Sequence, residues 1–312
     1  MASFEHVKLL VNAHFDGDER FKTVALQIAA SEASKGHVTI ARDIRKIIQI
    51  KSSAKPITNL NESTDLMICS SPKIKLSNLV VNDITRNRLS RIIEEYKQKD
   101  KIRKFGLENR RKILLCGRPG TGKTMTASVL ATELNMPLYT IMLDKMISKY
   151  MGETANKLRQ IFETIRDFPG VYLFDEFDAI GGERTKENDI GEIRRVLNSF
   201  LQFIEQDNSN SLIIAATNNS QMLDYALFRR FDDIIQYELP EKEEIINLLE
   251  NKLCTLSDFN EYNKLAEMCF NLSHAEITKA CNDFIKACIL NEKNATVETF
   301  RQLIDERIKF IR

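Results

Sequence analysis

No apolar run in this chain approaches the length of a membrane span, and neither sign of charge predominates. A spanning helix needs about 20 consecutive apolar residues, so no membrane role is expected. Lysine and arginine number 45 against 44 aspartates and glutamates, a net charge of +1. Dedicated nucleic-acid binders carry a basic surplus, so nucleic acid is disfavoured as a partner, although a local basic patch would be compatible with this balance. The six cysteines (Cys69, Cys116, Cys254, Cys269, Cys281 and Cys288) are scattered without a C-x-x-C pair. Cys281 and Cys288 lie seven apart on one helical face, the pattern of small buried thiols. The first six residues hold neither a basic stretch nor an apolar run, so no secretory signal is expected and the location expected is cytoplasmic. Neither H-E-x-x-H nor G-x-S-x-G occurs, so nothing in the chain is itself a protease. Glycine is absent beyond Pro240, where the pattern is helical to the end.

The 312 residues are enough for about two domains. Residues 1–50 read as a small helical N-terminal domain: Val7, Leu10, Val11 and His14, then Phe21, Val24, Ala25 and Ile28, then Ile40, Ile44, Ile47 and Ile48 follow helical spacing. Three such helices make a marginal core, or a docking element for a partner. Residues 51–77 hold Ser, Asn, Lys and two prolines up to about Leu76 without periodicity, and read as a linker. A helix is expected from Asp83 to Lys99. Short apolar runs then alternate with helical patterns: Pro137–Leu143, Val171–Phe174, Leu212–Ala216 and Ile234–Leu239 as strands, and Ile193, Val196, Leu197, Phe200, Leu201 and Ile204 as a helical stripe. Strands without polar alternation belong in a parallel sheet covered on both faces. The reading is an α/β subdomain over residues 78–240, followed by a helical one over 241–312.

The motif with the most chemistry is Gly117-Arg118-Pro119-Gly120-Thr121-Gly122-Lys123-Thr124, of the form G-x-x-x-x-G-K-[ST]. The run Ile113–Cys116 feeds into it and a helical stretch beginning at Met125 follows, which is the strand–loop–helix context the motif requires. Gly117, Gly120 and Gly122 let successive N–H groups turn inward around a polyphosphate. Lys123 supplies a charge for the outer phosphates, the Thr124 hydroxyl can ligate Mg²⁺, and the helix N-terminus adds its positive end. Downstream, Phe174-Asp175-Glu176 ends an apolar strand. There Asp175 can hold Mg²⁺ through water and Glu176 can polarise an attacking water. ATP and Mg²⁺ are the cofactors these motifs call for.

Phe174-Asp-Glu-Phe-Asp-Ala-Ile-Gly-Gly-Glu-Arg184 resembles the Walker B region of AAA ATPases, and Ala215-Ala-Thr-Asn218 with Leu223–Asp232 resembles that family's second region of homology. The resemblance covers about residues 78–312. It implies a P-loop large subdomain with a five-stranded parallel sheet between helices, a small all-helical lid subdomain, and a homo-oligomeric ring, usually hexameric, with ATP at subunit interfaces. Asn218 would be the sensor that orients the lytic water. Arg229 and Arg230 would be arginine fingers reaching the neighbour's γ-phosphate. Leu272-Ser-His-Ala-Glu276 resembles the lid signature of the classical clade, with His274 where glycine is usual and Ala275 following. That would set His274 near the adenine; a packing or surface role is the alternative. Arg118 replaces a commoner proline, with its side chain outward.

Ser148-Lys149-Tyr150-Met151-Gly152 resembles the pore loop of protein-translocating AAA rings. Tyr150 and Met151 would grip an extended polypeptide, Gly152 would let the loop turn, and Lys149 would assist. Glu183–Asp189 reads either as a second pore loop or as a plain turn. Three functions follow: a motor that remodels, unfolds or threads a protein, a nucleotide-switched scaffold that activates a partner, and, less favoured by charge, a nucleic-acid motor or loader. Residues Phe15–Phe21 and Val24–His37 resemble the start of small bacterial AAA ATPases encoded beside a subtilisin-like serine protease in phage-defence loci. That resemblance implies such a protease as the regulated partner.

Overall fold

The computed structural model describes residues 66–146, 153–181, 190–223, 225–254, 261–291 and 296–311. All belong to the second of the chain's two units, Ser63–Arg312. The helices expected in residues 1–50, the Lys149–Gly152 loop and the Glu183–Asp189 segment lie outside the described residues.

The sheet has six strands: β1 (Met67–Ser70), β2 (Lys112–Gly117), β3 (Leu138–Ile141), β4 (Val171–Phe174), β5 (Leu212–Thr217) and β6 (Asp233–Tyr237), in the order β1-β3-β4-β5-β2-β6. Five of them run parallel, and their apolar runs are the ones legible in the sequence. The expected five-stranded parallel sheet is present, and a sixth strand extends it: β1 pairs antiparallel with β3, Met67 opposite Ile141 and Ser70 opposite Leu138, so the whole sheet is mixed. Residues 67–70 are therefore part of the sheet and not of a linker ending at residue 77. The strand escaped notice for a physical reason. At an edge only Met67 of the four is buried, so the backbone ladder holds β1 without an apolar pattern.

Residues of β2 alternate between two cores, as strand geometry requires. Leu114 and Cys116 face α3 (Glu153–Asp167) and α4 (Ile190–Gln206), where Leu158, Ile161, Phe200 and Ile204 are buried. Ile113 and Leu115 face α1 (Asp83–Lys97) and α2 (Lys123–Glu133), through Leu89, Ile92, Ala127 and Leu130. The Asn82 side chain caps α1 by accepting from the Thr85 N–H at 2.8 Å. After the short α5 (Tyr225–Phe228) and β6, the lid's described residues form four helices: α6 (Lys242–Leu253), α7 (Tyr262–Met268), α8 (His274–Asn291) and α9 (Val297–Ile311). Their core centres on Phe284 and Phe300, packed edge to face with ring centroids 5.3 Å apart. Cys281 is buried there, and Cys288 packs at its margin.

The entry to β2 is pinned by charge. Asp232 accepts from the N–H groups of Arg111 and Lys112 at 2.8 and 2.9 Å. Arg111 also donates to the carboxylate and carbonyl of Asp207, just past α4, and these two side chains are only 6% and 4% exposed. Removing one partner of a buried pair strands the other charge. Asp207→Ala should cost about 3–5 kcal/mol in urea unfolding. A loss under about 1 kcal/mol would mean that water reaches Arg111.

Candidate functional site

The turn out of β2 closes on itself through Lys123. Its ammonium is nearly buried and donates to the carbonyls of Gly117 (2.7 Å) and Arg118 (2.9 Å) and to Asn218 Oδ1 (2.9 Å). Burial pushes its pKa below the ordinary lysine range, against the pull of Asp175 and Asp178. Glycine is demanded at two places by close approach. A Cβ on Gly117 (φ +150°) would lie 2.3 Å from the Tyr237 carbonyl of β6, and one on Gly120 (φ +77°) would lie 2.6 Å from Ser273 Oγ of the lid. The Ala275 N–H donates to the Gly120 carbonyl at 3.0 Å, so the lid is bonded directly to the loop. A reciprocal cap steadies that lid end: the Ser273 N–H donates to Glu276 Oε2 at 2.6 Å and the Glu276 N–H to Ser273 Oγ at 3.4 Å.

Thr124, at the start of α2, donates its hydroxyl to Asp175 Oδ2 across 2.7 Å. A hydroxyl and a carboxylate in contact beside a phosphate-binding turn suit a hard cation that takes oxygen ligands and retains several waters. Among the described residues no group of three or more His, Cys, Asp or Glu gathers as a metal cluster. Glu176 follows with φ +52°, the left-handed region that non-glycine residues avoid. Its N–H donates to Asp175 Oδ1 at 2.9 Å, and the next N–H, of Phe177, bonds the Ala216 carbonyl of β5 at 2.8 Å. Such strain persists only where the surroundings over-determine it. Here it leaves the Glu176 carboxylate exposed on the wall of a cavity.

That cavity holds about 550 Å³ and lies between the sheet's C-terminal edge and the lid. Pro119 through Met125, Asp175, Glu176, Asn218, His274 and Ala275 all line it. Gly117 and Arg118 contribute carbonyls to the Lys123 cradle, while the Arg118 side chain is exposed and does not line the cavity. Arg229 and Arg230 do not reach the cavity. Arg229 is exposed, its guanidinium 5.3 Å from the Tyr225 ring centroid, and Arg230 pairs with Glu205 at 3.4 Å. The pore-loop residues Lys149, Tyr150, Met151 and Gly152 are outside the described set.

The sequence reading passed over several participants. Asp178 accepts from Thr217 Oγ1 (3.2 Å) and from the Asn218 N–H (3.3 Å), which orients the end of β5. Its place in Phe-Asp-Glu-Phe-Asp was the available signal. Asn78, Leu79 and Val80 line the cavity from the segment before α1, and Leu248, Lys252, Thr278 and Lys279 line it from the lid. The spacing of Ala275, Thr278 and Lys279 puts them on one face of α8, but only folding shows which face meets the loop.

A sheet, parallel but for β1, whose glycine-rich turn, acidic strand end and polar strand end meet at one edge under a helical lid is the architecture of an AAA-type P-loop nucleotide-binding domain. Residues 113–239 match the family described as ATPase family associated with various cellular activities (AAA). An uncharacterized AAA family ATPase of Sinorhizobium fredii is 34% identical over 307 residues, covering 96% of this chain and 93% of that protein. The chain belongs to the AAA family of ATPases. Proteasome-activating nucleotidases of Saccharolobus islandicus and Sulfurisphaera tokodaii are each 34% identical, over 220 and 240 residues. Those matches cover 67% and 72% of this chain but only 55% and 61% of the nucleotidases. Among the described residues no helix is long and apolar enough to cross a membrane.

Proposed function

We propose that this chain is an ATP-hydrolysing subunit of a ring motor that remodels, unfolds or threads a protein. The observation that carries this reading is the division of its site. Lys123, Thr124, Asp175, Glu176 and Asn218 meet at one cavity, whereas Arg229 and Arg230 stand off it. A site with a cradle and a base but no charge clamp of its own is completed by a neighbour's arginines. The cavity lies within the size range of small-molecule sites.

In this mechanism the loop N–H groups and Lys123 hold the outer phosphates, Lys123 exchanging its loop carbonyls for phosphate oxygens. Mg²⁺, held by Thr124 and through water by Asp175, would supply charge neutralisation. Asn218 orients a water and Glu176 accepts its proton as oxygen attacks the terminal phosphorus, the bond to the bridging oxygen breaking to release ADP. The neighbour's Arg229 or Arg230 offsets the charge on the transferring group. Protein as the substrate is supported by the Tyr150-Met151-Gly152 triplet and by the likeness to proteasome-activating nucleotidases.

Tyr150→Ala tests the substrate reading. The variant should keep its ATPase rate and lose ATP-dependent unfolding of a tagged fluorescent protein captured by the ring. Undiminished unfolding by Tyr150→Ala would remove the threading role, and capture of nucleic acid with no protein would favour a nucleic-acid motor.

A further inference from the structure

A second cavity, of about 620 Å³, lies between the C-terminal halves of α3 and α4 and shares no residue with the phosphate-loop cavity. Its floor is apolar: the rings of Phe162 and Phe203 stack with centroids 5.4 Å apart, Phe162 buried and Phe203 half-buried. Its rim is polar and exposed, with Arg159, Glu163 and Arg166 on α3 and the amides of Gln202, Gln206 and Asn208 on the other wall. Neither guanidinium is tied down. Arg159 has no ion pair among the described residues, and Arg166 meets the exposed Asp167 at 3.7 Å.

A basic strip begins where that cavity ends. Two residues beyond Asn208, the Asn210 side chain accepts from Arg103 at 3.0 Å and its carbonyl accepts from the Tyr96 hydroxyl. The Lys99 ammonium sits 4.4 Å from the centroid of the Tyr96 ring. From Lys97 to Leu107 five cations stand against the single acid Asp100, so the strip carries +4 and the rest of the chain −3 of the net +1. Lys97, Lys101 and Lys104 are exposed and have no ion pair among the described residues. Beside them Phe105 and Leu107 are 76% and 63% exposed.

Cations and amides around an apolar floor suit one kind of partner. Guanidinium forks take carboxylates bidentately. A primary amide offers both a donor and an acceptor, the complement of a peptide main chain. The stacked rings take an apolar side chain. Arg159 and Arg166 stand two helical turns apart, roughly 10 Å. An extended peptide of the polyproline II type brings every third side chain to one face at about 9 Å, a close match. Long phosphate polyanions fit poorly, because Glu163 stands between the two arginines and the surface beyond the strip is acidic on balance. We propose that this face docks an acidic segment of a partner protein. An apolar side chain of the segment seats on Phe162 and Phe203, carboxylates three residues apart pair with Arg159 and Arg166, and the basic strip draws the segment in. The face lies outside the phosphate-loop cavity, so docking does not depend on the ATPase reading.

The test is fluorescence anisotropy of labelled synthetic peptides with the full chain. A peptide repeating Glu-Leu-Ser should bind, and its Lys-Leu-Ser and Glu-Ser-Ser counterparts should bind about tenfold or more weakly, since each lacks one half of the contact. Arg159→Glu with Arg166→Glu should weaken the acidic repeat by about tenfold or more. Gln202→Trp, which fills the cavity without changing charge, should weaken it as much. Lys101→Glu with Lys104→Glu should chiefly slow association. All these positions are exposed, so melting curves should match the unaltered chain. Full binding by Gln202→Trp would reduce the contact to unspecific charge and overturn the proposal, as would equal binding of the Lys-Leu-Ser repeat. Tighter binding of an oligonucleotide of equal charge, lost in the same variants, would assign the face to nucleic acid instead. If no peptide bound and the arginine variants sedimented as smaller assemblies, the face would be a contact between copies and the proposal would fail.

Discussion

Glu176→Gln should lower the hydrolysis rate by about 10²–10⁴-fold, the contribution of a positioned general base, while ATP binding stays within about twofold of the unaltered chain. The amide keeps the size and the hydrogen-bonding reach of the carboxylate but cannot take a proton from water. Binding should survive because, on the proposed mechanism, Lys123, Thr124 and the loop N–H groups would hold the phosphates independently of residue 176. The left-handed backbone of Glu176 is kept by the neighbouring bonds, Glu176 N–H to Asp175 and Phe177 N–H to Ala216, which the substitution leaves in place. Rate and affinity are measured separately, by phosphate release and by equilibrium binding of ATP. Turnover within tenfold of the unaltered chain would show that another group takes the proton, and the assigned chemistry would fail. If binding collapsed together with the rate, Glu176 would be a structural prop of the cavity.

The arginines should produce an effect as large by a different route. Replacing Arg229 and Arg230 together with Ala should slow hydrolysis by about 10³–10⁵-fold, or roughly 4–7 kcal/mol of barrier. Neither guanidinium lines its own chain's cavity, so the loss must act across an interface. That makes a mixing experiment decisive. Chains carrying Glu176→Gln still offer their arginines, and chains with both arginines replaced still offer an intact Glu176. Each alone should be nearly inert, and an equal mixture should regain activity at interfaces that pair the two intact halves. The unaltered protein should also show turnover per chain that rises with concentration until assembly is complete. A mixture no more active than its components, or turnover independent of concentration, would place the arginines outside the chemistry. The ion pair of Arg230 with Glu205 and the exposed position of Arg229 let the single substitutions rank the two.

Much of the fold is legible in the sequence, and for a local reason. Strands β2, β4 and β5 are buried on both faces, so their sequences are nearly uninterrupted apolar runs ending in turn residues. The stripe through Val196, Leu197, Phe200 and Ile204 follows the helical period and lies buried as that period demands. Edge strand β1 was not legible, since Ile68, Cys69 and Ser70 are exposed and a ladder of main-chain bonds carries no signature in side chains. The N-cap Asn82 and the box Ser273–Glu276 bond locally and follow from spacing, but the bond of Ala275 to Gly120 does not.

By itself the sequence determined the chemistry on offer at this site: a glycine turn with Lys123 and Thr124, an acidic pair at Asp175 and Glu176, and a polar residue at Asn218. Each is a short-range pattern, and short-range patterns follow from the covalent chain and its backbone preferences. What the tertiary structure decided is how those pieces meet. It laid the lid on the loop through Ala275 and Gly120, strained Glu176 toward the cavity, and turned Arg229 and Arg230 away from it. The bond from the Ala275 N–H to the Gly120 carbonyl joins residues 155 positions apart, and only the packing of two subdomains brings such a separation down to hydrogen-bond length.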